Sequence, residues 1–343
     1  MAGYLVPGDN DVFTFSGRCD FTTTNQVSFD WPGIAISFGF SGTSCTAAID
    51  GPGMFDLFID SKFVKTVRAV TENETVLLAD KLKNKAHDVK LVKRNESFIR
   101  PVVFRGVIID NNAEIFKITQ NINRKIEFIG DSYTAGYANE YSFRECANDE
   151  TDSIVFSMTN SVRSFGSLIA GMFNAERHIN AISGKGLVRN FGGADKDKEF
   201  LKYYERTLLT SVHNPDVNSA LWDYSWHPDV IVIGLGINDF QENPPYADTL
   251  LFDNTYQNFI QSLKARHPGV EIICCATKIK PLDTLIPRVC AVVEYFMKKG
   301  DNGVHYFEYE TENTSLYGHP SVKDHKKIAY ELSSFIGTIT GWR

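Results

Sequence analysis

The sequence lacks the features that mark disulfide-rich, membrane-spanning or nucleic-acid-binding proteins. Only 6 of its 343 residues are cysteine, and none has the CxxC or His/Cys spacing of a metal site. We therefore expect inert core thiols, among them the adjacent Cys274 and Cys275. No run of about 18 apolar residues is present that could cross a membrane. Acidic residues outnumber basic ones by 42 to 35, and the net charge of −7 argues against nucleic acid or anionic lipid as a partner.

The composition that is present belongs to a folded globular protein. Apolar residues make up 43% of the chain and charged residues 22%, which excludes a disordered chain or a collagen-like fibre. A length of 343 residues exceeds what one hydrophobic core usually organises, so two domains or one large domain are expected. The 25 Phe and 14 Tyr favour a β-rich portion or a surface that stacks on flat ligands.

The first part of the chain has the pattern of short, half-buried strands. Apolar residues alternate through residues 27–40, and turn residues such as Trp31-Pro32-Gly33 and Gly51-Pro52-Gly53 separate the apolar runs. Further strand-like runs occur at Thr43–Ile49, Phe55–Ile59, Val76–Leu78, Val89–Val92 and Val102–Ile109. Many strands without a convincing helix predict a β-sandwich of jelly-roll type over residues 1–122.

A different pattern begins after a break near residues 119–123. Strand-like runs now alternate with helical periodicity, which predicts a parallel sheet covered by helices on both faces over residues 123–343. The predicted strands are 125–130, 178–182, 229–235, 270–275 and 304–307, and the predicted helices are 162–173, 246–266, 284–298 and 322–336.

Three short motifs lie at predicted strand ends in this second domain. They are Gly130-Asp131-Ser132, Gly236-Ile237-Asn238-Asp239 and His319-Pro320-Ser321. Taken singly, each is explained as well by an ordinary turn or helix entry. Ligands of open α/β sheets, however, bind at the carboxyl ends of the strands, so the three motifs can converge on one point.

Together the motifs supply the groups needed for nucleophilic catalysis. A serine needs a base to take its proton during attack, and a histidine suits that task at neutral pH. The resulting oxyanion needs donors, which Asn238 could provide together with the backbone N–H of Gly184 in Ile182-Ser183-Gly184-Lys185-Gly186. Ser132 and His319 are thus the candidate nucleophile and base.

These motifs resemble the four blocks of the SGNH/GDSL hydrolase superfamily. The chain is more closely similar to carbohydrate esterase family 2, along nearly its whole length. Segments that carry this similarity in the expected order are Gly17-Arg18, Trp31-Pro32-Gly33, Leu91-Val92-Lys93-Arg94, Arg124–Ser132, Arg144-Glu145-Cys146, Ser183-Gly184-Lys185-Gly186 and Trp226-His227-Pro228-Asp229. The resemblance implies an N-terminal jelly roll and a C-terminal flavodoxin-like SGNH domain, and an acetyl esterase of acetylated plant polysaccharides or their oligosaccharides that needs no metal or organic cofactor.

The resemblance also implies a role for each motif residue. Ser132 would be the nucleophile that carries the acetyl group, and His319 the general base and acid. The backbone N–H groups of Ser132 and Gly184 and the side chain of Asn238 would form the oxyanion hole.

One position departs from the superfamily, whose members commonly place an Asp two or three residues before the histidine. Leu316 and Tyr317 occupy those positions here. Either a backbone carbonyl accepts the proton of His319 Nδ1, giving a Ser–His dyad, or a carboxylate from elsewhere replaces the Asp. The nearest such carboxylates in sequence are Glu308, Glu310 and Glu312.

Aromatic residues are the candidates for contact with a sugar ring, because their faces match its apolar side. Tyr133 and Tyr317 are expected to line the cleft. Trp222 and Trp226 either pack between helix and sheet or contact sugar, and Trp226 is the more structural of the two because it precedes a strand. Arg144-Glu145-Cys146 either shapes the pocket or forms a surface ion pair.

Two other functions remain open from the sequence. One is a lipase or thioesterase of different acyl preference, and the other is a non-catalytic carbohydrate-binding protein that acts through its jelly roll. The jelly roll could bind polysaccharide, form a wall of the cleft or only cover the catalytic domain. The family resemblance suggests a substrate of the acetylxylan or acetylmannan type, and position 6 of gluco- or manno-configured residues as the preferred acetylated hydroxyl. An extracellular location is inferred from this substrate class alone, since the first residues show no signal peptide.

Overall fold

The structure is a computed structural model that describes residues 3–119, 121–217, 219–279 and 283–343. The chain divides into two compact units. The first comprises Met1–Asn121 and Arg206–Trp222, and the second comprises Ile122–Glu205 and Asp223–Arg343. This division lies close to the break predicted at 119–123, of which residue 120 lies outside the described residues.

The first unit is a sandwich of two antiparallel sheets, which confirms the predicted fold class of the N-terminal domain. One sheet has the order β1-β10-β5-β8 with β3 beside β10, and the other has the order β11-β4-β9-β6-β7 with β2 beside β4. The strands are β1 Gly3–Pro7, β2 Thr14–Ser16, β3 Val27–Phe29, β4 Ala35–Gly42, β5 Cys45–Asp50, β6 Gly53–Ile59, β7 Lys62–Ala69, β8 Thr75–Ala79, β9 Lys85–Lys93, β10 Val102–Asp110 and β11 Ile115–Phe116.

Phenylalanine rings from both sheets pack edge to face between them. Phe29 of β3 meets Phe55 of β6 with ring centroids 6.4 Å apart, and Phe13 contacts both Phe38 of β4 and Phe104 of β10. These rings are buried, so phenylalanine side chains form much of the core of the sandwich. Strand β7 was not predicted from the sequence. It is an edge strand with mostly exposed residues, so half-buried alternation is weak; the exposed positions are Lys62, Phe63, Val64 and Arg68.

A segment from the middle of the second predicted domain packs with the first unit. The carboxylate of buried Asp30 accepts hydrogen bonds from the backbone N–H groups of Leu209 and Thr210 at 3.0 and 2.9 Å, and from the Thr210 hydroxyl at 2.7 Å. The indole N–H of Trp31 donates to the carbonyl of Thr207 at 2.9 Å. These bonds explain why residues 206–222 belong to the first unit, which the strand pattern did not reveal.

The second unit contains a five-stranded parallel sheet with the order β13-β12-β14-β15-β16, so the predicted α/β class is also confirmed. Its strands are β12 Arg124–Gly130, β13 Ala175–Ala181, β14 Val230–Gly234, β15 Glu271–Ala276 and β16 Val304–Glu308. Its helices are α1 Ser132–Ala135, α2 Thr151–Met158, α3 Phe165–Met172, α4 Phe200–Tyr204, α5 Thr249–Arg266, α6 Leu285–Lys298 and α7 Val322–Thr340. Helix α2 was not predicted, because its apolar residues Ile154, Val155 and Phe156 are consecutive and do not follow helical spacing, and none of its residues is fully buried.

The strand order places a ligand-binding edge at one point of the sheet. Numbered by their order along the chain, the strands of this sheet lie in the spatial order 2-1-3-4-5. The chain first places β13 on one side of β12 and then crosses to place β14 on the other side, so the direction in which strands are added reverses at β12. Gly130 at the end of β12 lies opposite Ala181 on one side and Gly234 on the other. The carboxyl ends of β12, β13 and β14 are therefore level, and the residues that follow them share one edge. In the described part of the chain no helix is both long and apolar enough for a membrane span.

Candidate active site

Ser132 begins a one-turn helix directly after β12. The Asp131 carboxylate caps this helix by accepting the backbone N–H of Tyr133 at 3.0 Å, and Gly136 ends it in the left-handed region at φ 76°. Gly130 allows the turn to be this tight, since a Cβ there would lie 2.0 Å from the Thr134 hydroxyl oxygen. The local sequence thus fixes Ser132 at the strand end.

His319 lies on a stiff segment between β16 and α7. A 3₁₀ turn, Leu316–Gly318, precedes it, and Ser321 caps α7 in a reciprocal capping box with Asp324. His319 Nε2 lies 2.9 Å from Ser132 Oγ, and His319 Nδ1 lies 2.8 Å from the carbonyl oxygen of Leu316. The fold therefore brings the predicted nucleophile and base within hydrogen-bonding distance.

The carbonyl partner assigns the tautomer of the imidazole. A carbonyl oxygen can only accept, so the proton must be on Nδ1, and Nε2 is left with a lone pair that accepts from the Ser132 hydroxyl. No carboxylate among the described residues is hydrogen-bonded to His319. Glu308 accepts from the Tyr306 hydroxyl, and Glu312 pairs with Lys323. Of the two arrangements left open by the sequence, the geometry corresponds to the Ser–His dyad.

The surroundings of the imidazole keep it neutral. Burial lowers the pKa of His319 to about 4, and the hydrogen bond to Leu316 opposes this shift. The ring of Tyr137 lies 4.5 Å from that of His319 between centroids, and Tyr133 lies 5.7 Å away. Tyr137 was missed in the sequence, although its place just after the turn that carries Ser132 could have indicated it.

The two further oxyanion candidates follow the strands on either side of β12. Gly184, beyond β13, adopts φ 77°, and no atom lies within 4 Å of where its Cβ would be. Asn238, beyond β14, is buried and donates from Nδ2 to the carbonyl of Lys185 at 2.9 Å. Gly184, Asn238, Ser132 and His319 all line one cavity of about 900 Å³. The convergence expected from the strand ends is therefore present, and the roles of Gly184 and Asn238 as oxyanion donors stay predictions.

The predicted substrate residues separate into two groups. Tyr133 and Tyr317 line the cavity. Trp222 does not line it, since it lies in the first unit with the Arg18 guanidinium 5.0 Å from the ring centroid. Trp226 does not line it either, and its ring stacks on that of His178 in β13 with centroids 3.6 Å apart. The packing alternative for both tryptophans fits these contacts.

Loops after the strands supply the rest of the cavity wall, which the sequence analysis did not identify. These residues are Tyr137, Ser183, Phe191, Ile237, Gln241, Glu242, Asn243, Tyr246 and Gly318. The Arg144 loop supports this wall indirectly. The carbonyl of Arg144 accepts the backbone N–H of Tyr317, which lines the cavity, at 2.8 Å. The guanidinium of Arg144 donates to the carbonyl of Glu312 at 2.8 Å.

Within the described ranges no group of three or more His, Cys, Asp or Glu side chains could hold a metal ion. The expectation that the chemistry needs no cofactor stays a prediction.

Comparison with known families gives two adjacent matches. The N-terminal domain of carbohydrate esterase 2 matches residues 15–118, and the GDSL-like lipase/acylhydrolase family matches residues 128–302, which is about half of the chain. The two matches correspond to the sandwich and to most of the parallel-sheet unit.

Curated relatives and solved structures agree with these matches. Cellulase/esterase CelE of Acetivibrio thermocellus is 31% identical over 97% of this chain and 40% of its own length. An acetylxylan esterase/glucomannan deacetylase of Cellvibrio japonicus is 36% identical over 63% of this chain and 56% of its own. The chain thus spans less than two thirds of these two relatives. A family two carbohydrate esterase from Clostridium thermocellum, solved in complex with cellohexaose, has a TM-score of 0.85 at 29% identity and covers 96% of this chain and 100% of its own.

The lowered pKa of His319 predicts that esterase activity persists to an unusually low pH. If His319 is the general base, as predicted, it acts only when its imidazole is neutral. We then expect kcat/KM for 4-nitrophenyl acetate to stay level from pH 8 to about pH 5 and to fall about tenfold per pH unit below about pH 4. Tryptophan fluorescence at each pH checks that the protein remains folded. Half-maximal activity near the ordinary histidine value of about 6.5 would contradict this assignment.

The backbone partner of His319 predicts that no nearby carboxylate is needed. Alanine at Glu308, Glu310 or Glu312 should leave kcat within about threefold of the wild type. A carboxylate that orients a catalytic histidine is worth on the order of 10⁴ in turnover. A loss of about a thousandfold at any of the three positions, in a folded variant, would therefore exclude the dyad.

Proposed function

Since the chain belongs to carbohydrate esterase family 2, within the GDSL-like hydrolases, we propose that it removes O-acetyl groups from acetylated plant polysaccharides or their oligosaccharides. The observation that carries this proposal is the 2.9 Å contact between Ser132 Oγ and His319 Nε2, in a cavity that Gly184 and Asn238 also line. The similarity to the Cellvibrio japonicus acetylxylan esterase/glucomannan deacetylase supports the substrate class.

In the first half of the proposed reaction, Ser132 becomes acetylated. His319 Nε2 takes the hydroxyl proton while Oγ bonds to the acetyl carbonyl carbon. The carbonyl oxygen gains negative charge and accepts hydrogen bonds from the N–H groups of Ser132 and Gly184 and from Asn238 Nδ2. The bond from the acetyl carbon to the sugar oxygen then breaks, and His319 returns its proton to that oxygen.

The second half uses the same groups on water. His319 removes a proton from a water molecule, whose oxygen attacks the carbonyl carbon of acetyl-Ser132. The bond between the carbonyl carbon and Ser132 Oγ then breaks, Oγ recovers a proton from His319, and acetic acid is released and ionises to acetate in solution. Throughout, the proton stays on His319 Nδ1, which donates to the carbonyl oxygen of Leu316, and this acceptor stabilises the imidazolium when it forms.

The lining of the cavity supports a sugar ester over a long-chain lipid. Only one aliphatic side chain, Ile237, is among the described residues that line it. The rest are tyrosines, a phenylalanine, glycines, serines, His319 and the polar side chains of Asn238, Gln241, Glu242 and Asn243. Aromatic faces with nearby polar groups fit a pyranose ring, whereas a long acyl chain needs a continuous apolar channel.

The finer parts of the proposal concern the sugar and the location. The acetylated position is proposed to be the primary hydroxyl at position 6 of gluco- or manno-configured residues. An extracellular location is proposed because polysaccharides of this kind lie outside cells. Recovery of the native protein from the cells and not from the medium would argue against that location.

Acetate release from a panel of regiospecifically acetylated sugars tests the proposal. We expect release from acetylated xylo-, gluco- or manno-oligosaccharides, fastest from position 6 of the gluco- and manno-configured sugars. The Ser132→Ala variant should fall to background, because the acetyl-serine cannot form. A comparison of 4-nitrophenyl acetate with 4-nitrophenyl dodecanoate separates an acetyl esterase from a lipase.

Two results would overturn the proposal. Preference for the dodecanoate would indicate a lipase. Sugar binding without hydrolysis, and without labelling of Ser132 by an organophosphonate, would indicate a non-catalytic carbohydrate-binding protein.

A further inference from the structure

The loops that carry Gly184 and Asn238 are joined by two side chains, one from each loop, that hydrogen-bond to the backbone of the other loop. Asp239, next to Asn238, is fully buried and reaches into the loop that follows β13. Its Oδ1 accepts the backbone N–H groups of Val188 at 2.8 Å and Arg189 at 3.0 Å, and its Oδ2 accepts that of Leu187 at 3.0 Å. One carboxylate therefore satisfies three consecutive backbone donors of the neighbouring loop.

Arg189 makes the reverse connection. Its Nη1 donates to the carbonyls of Asn238 at 3.1 Å and Gln241 at 2.9 Å. Its Nη2 donates to the carbonyls of Glu242 at 2.6 Å and Asn243 at 2.7 Å. The planar fork of a guanidinium can hold four carbonyls in this way, which the single ammonium of a lysine cannot match.

The two loops are closely packed where they meet. A Cβ on Gly186 would lie 2.1 Å from the Arg189 carbonyl oxygen and 2.5 Å from Asp239 Oδ2. Asn238 adds a third connection, since its amide donates to the carbonyl of Lys185, the residue after Gly184. A shift of either loop would therefore move both Gly184 and Asn238.

Neither charged residue is placed to meet substrate. Arg189 and Asp239 are not among the described residues that line the cavity, whereas Gly184 and Asn238 are. Donors to an oxyanion stabilise it most when they are held in place before the charge develops. Groups that hold them should affect the transition state more than the binding of the ester.

We propose that Arg189 and Asp239 form a reciprocal clamp that positions the oxyanion donors Gly184 and Asn238. Both are positioning residues, and the inference rests on the esterase activity proposed above. The clamp is specific to the developing oxyanion, so removing it should lower kcat and leave KM for a small acetyl ester nearly unchanged.

The test compares Arg189→Ala, Asn238→Ala and the double variant on 4-nitrophenyl acetate, an ester without a sugar. We expect Arg189→Ala to lower kcat about 10- to 100-fold with KM within about threefold, and Asn238→Ala to lower kcat about 10²- to 10³-fold. Because the clamp acts partly through Asn238, the loss in the double variant should be well below the product of the single losses. Millimolar guanidinium should restore part of the activity of Arg189→Ala and none of that of Asn238→Ala.

Two further variants keep the test decisive. Arg288→Ala is the matched control. Arg288 lies in the same unit, its guanidinium pairs with Asp253, and it does not line the cavity, so this variant should retain the wild-type kcat. If Arg189→Ala does not fold, Arg189→Lys replaces it, with an expected loss of about threefold to tenfold in kcat.

The outcomes distinguish failure of the clamp from failure of the function. An inactive wild type would refute the esterase proposal itself. With an active wild type, unchanged kcat in the Arg189 variant would overturn the clamp. Losses in kcat that multiply fully in the double variant, a change confined to KM, or no rescue by guanidinium would also overturn it. In each of these cases Arg189 would not act on kcat through the oxyanion donors.

Discussion

The hydrogen bond from His319 Nδ1 to the carbonyl of Leu316 is the interaction on which the site depends. It selects the tautomer in which Nε2 faces Ser132 as an acceptor, and without it the imidazole could rotate or present a proton to the hydroxyl. In many serine hydrolases a carboxylate performs this task and also compensates the imidazolium charge. A neutral carbonyl can orient the ring equally well but offers less charge stabilisation. The low pKa of His319, set mainly by burial, fits a base without an anionic partner.

The fold supplies the precision that this short bond requires. Leu316 and His319 are held by one 3₁₀ turn, and the capping box of Ser321 and Asp324 anchors the turn to helix α7. On the other side, the sharp turn after β12 fixes Ser132. Since both ends of the dyad are set by backbone geometry, little side-chain freedom has to be lost when substrate binds.

The sequence was most informative where a residue type and a strand end occur together. Ser132, Gly184 and Asn238 each follow a predicted strand, and the alignment of Gly130 with Ala181 and Gly234 explains why they meet. The same reasoning could not find the Arg189 contacts. The Arg189 guanidinium donates to backbone carbonyls, and because every residue type has one, the sequence does not indicate which residues accept these bonds.

Other features could not be predicted from local patterns for different physical reasons. The packing of residues 206–222 with the sandwich depends on hydrogen bonds to Asp30 and Trp31, some 180 positions earlier in the chain. The position of Trp226 before a strand already favoured packing over sugar contact, and only the location of its ring on His178 shows what it packs against. Edge strand β7 is buried only at Val67 and Ala69 and helix α2 at no position, so neither element has the long apolar pattern by which strands and helices are recognised.

The protonation state of His319 is the most direct test of the central claim. Two-dimensional ¹H–¹⁵N correlation NMR of ¹⁵N-histidine-labelled protein, with His319→Ala to assign the ring signals, reports which nitrogen carries the proton. At pH 7 we predict a neutral ring with its proton on Nδ1. A proton on Nε2, or a doubly protonated ring at that pH, would contradict the account.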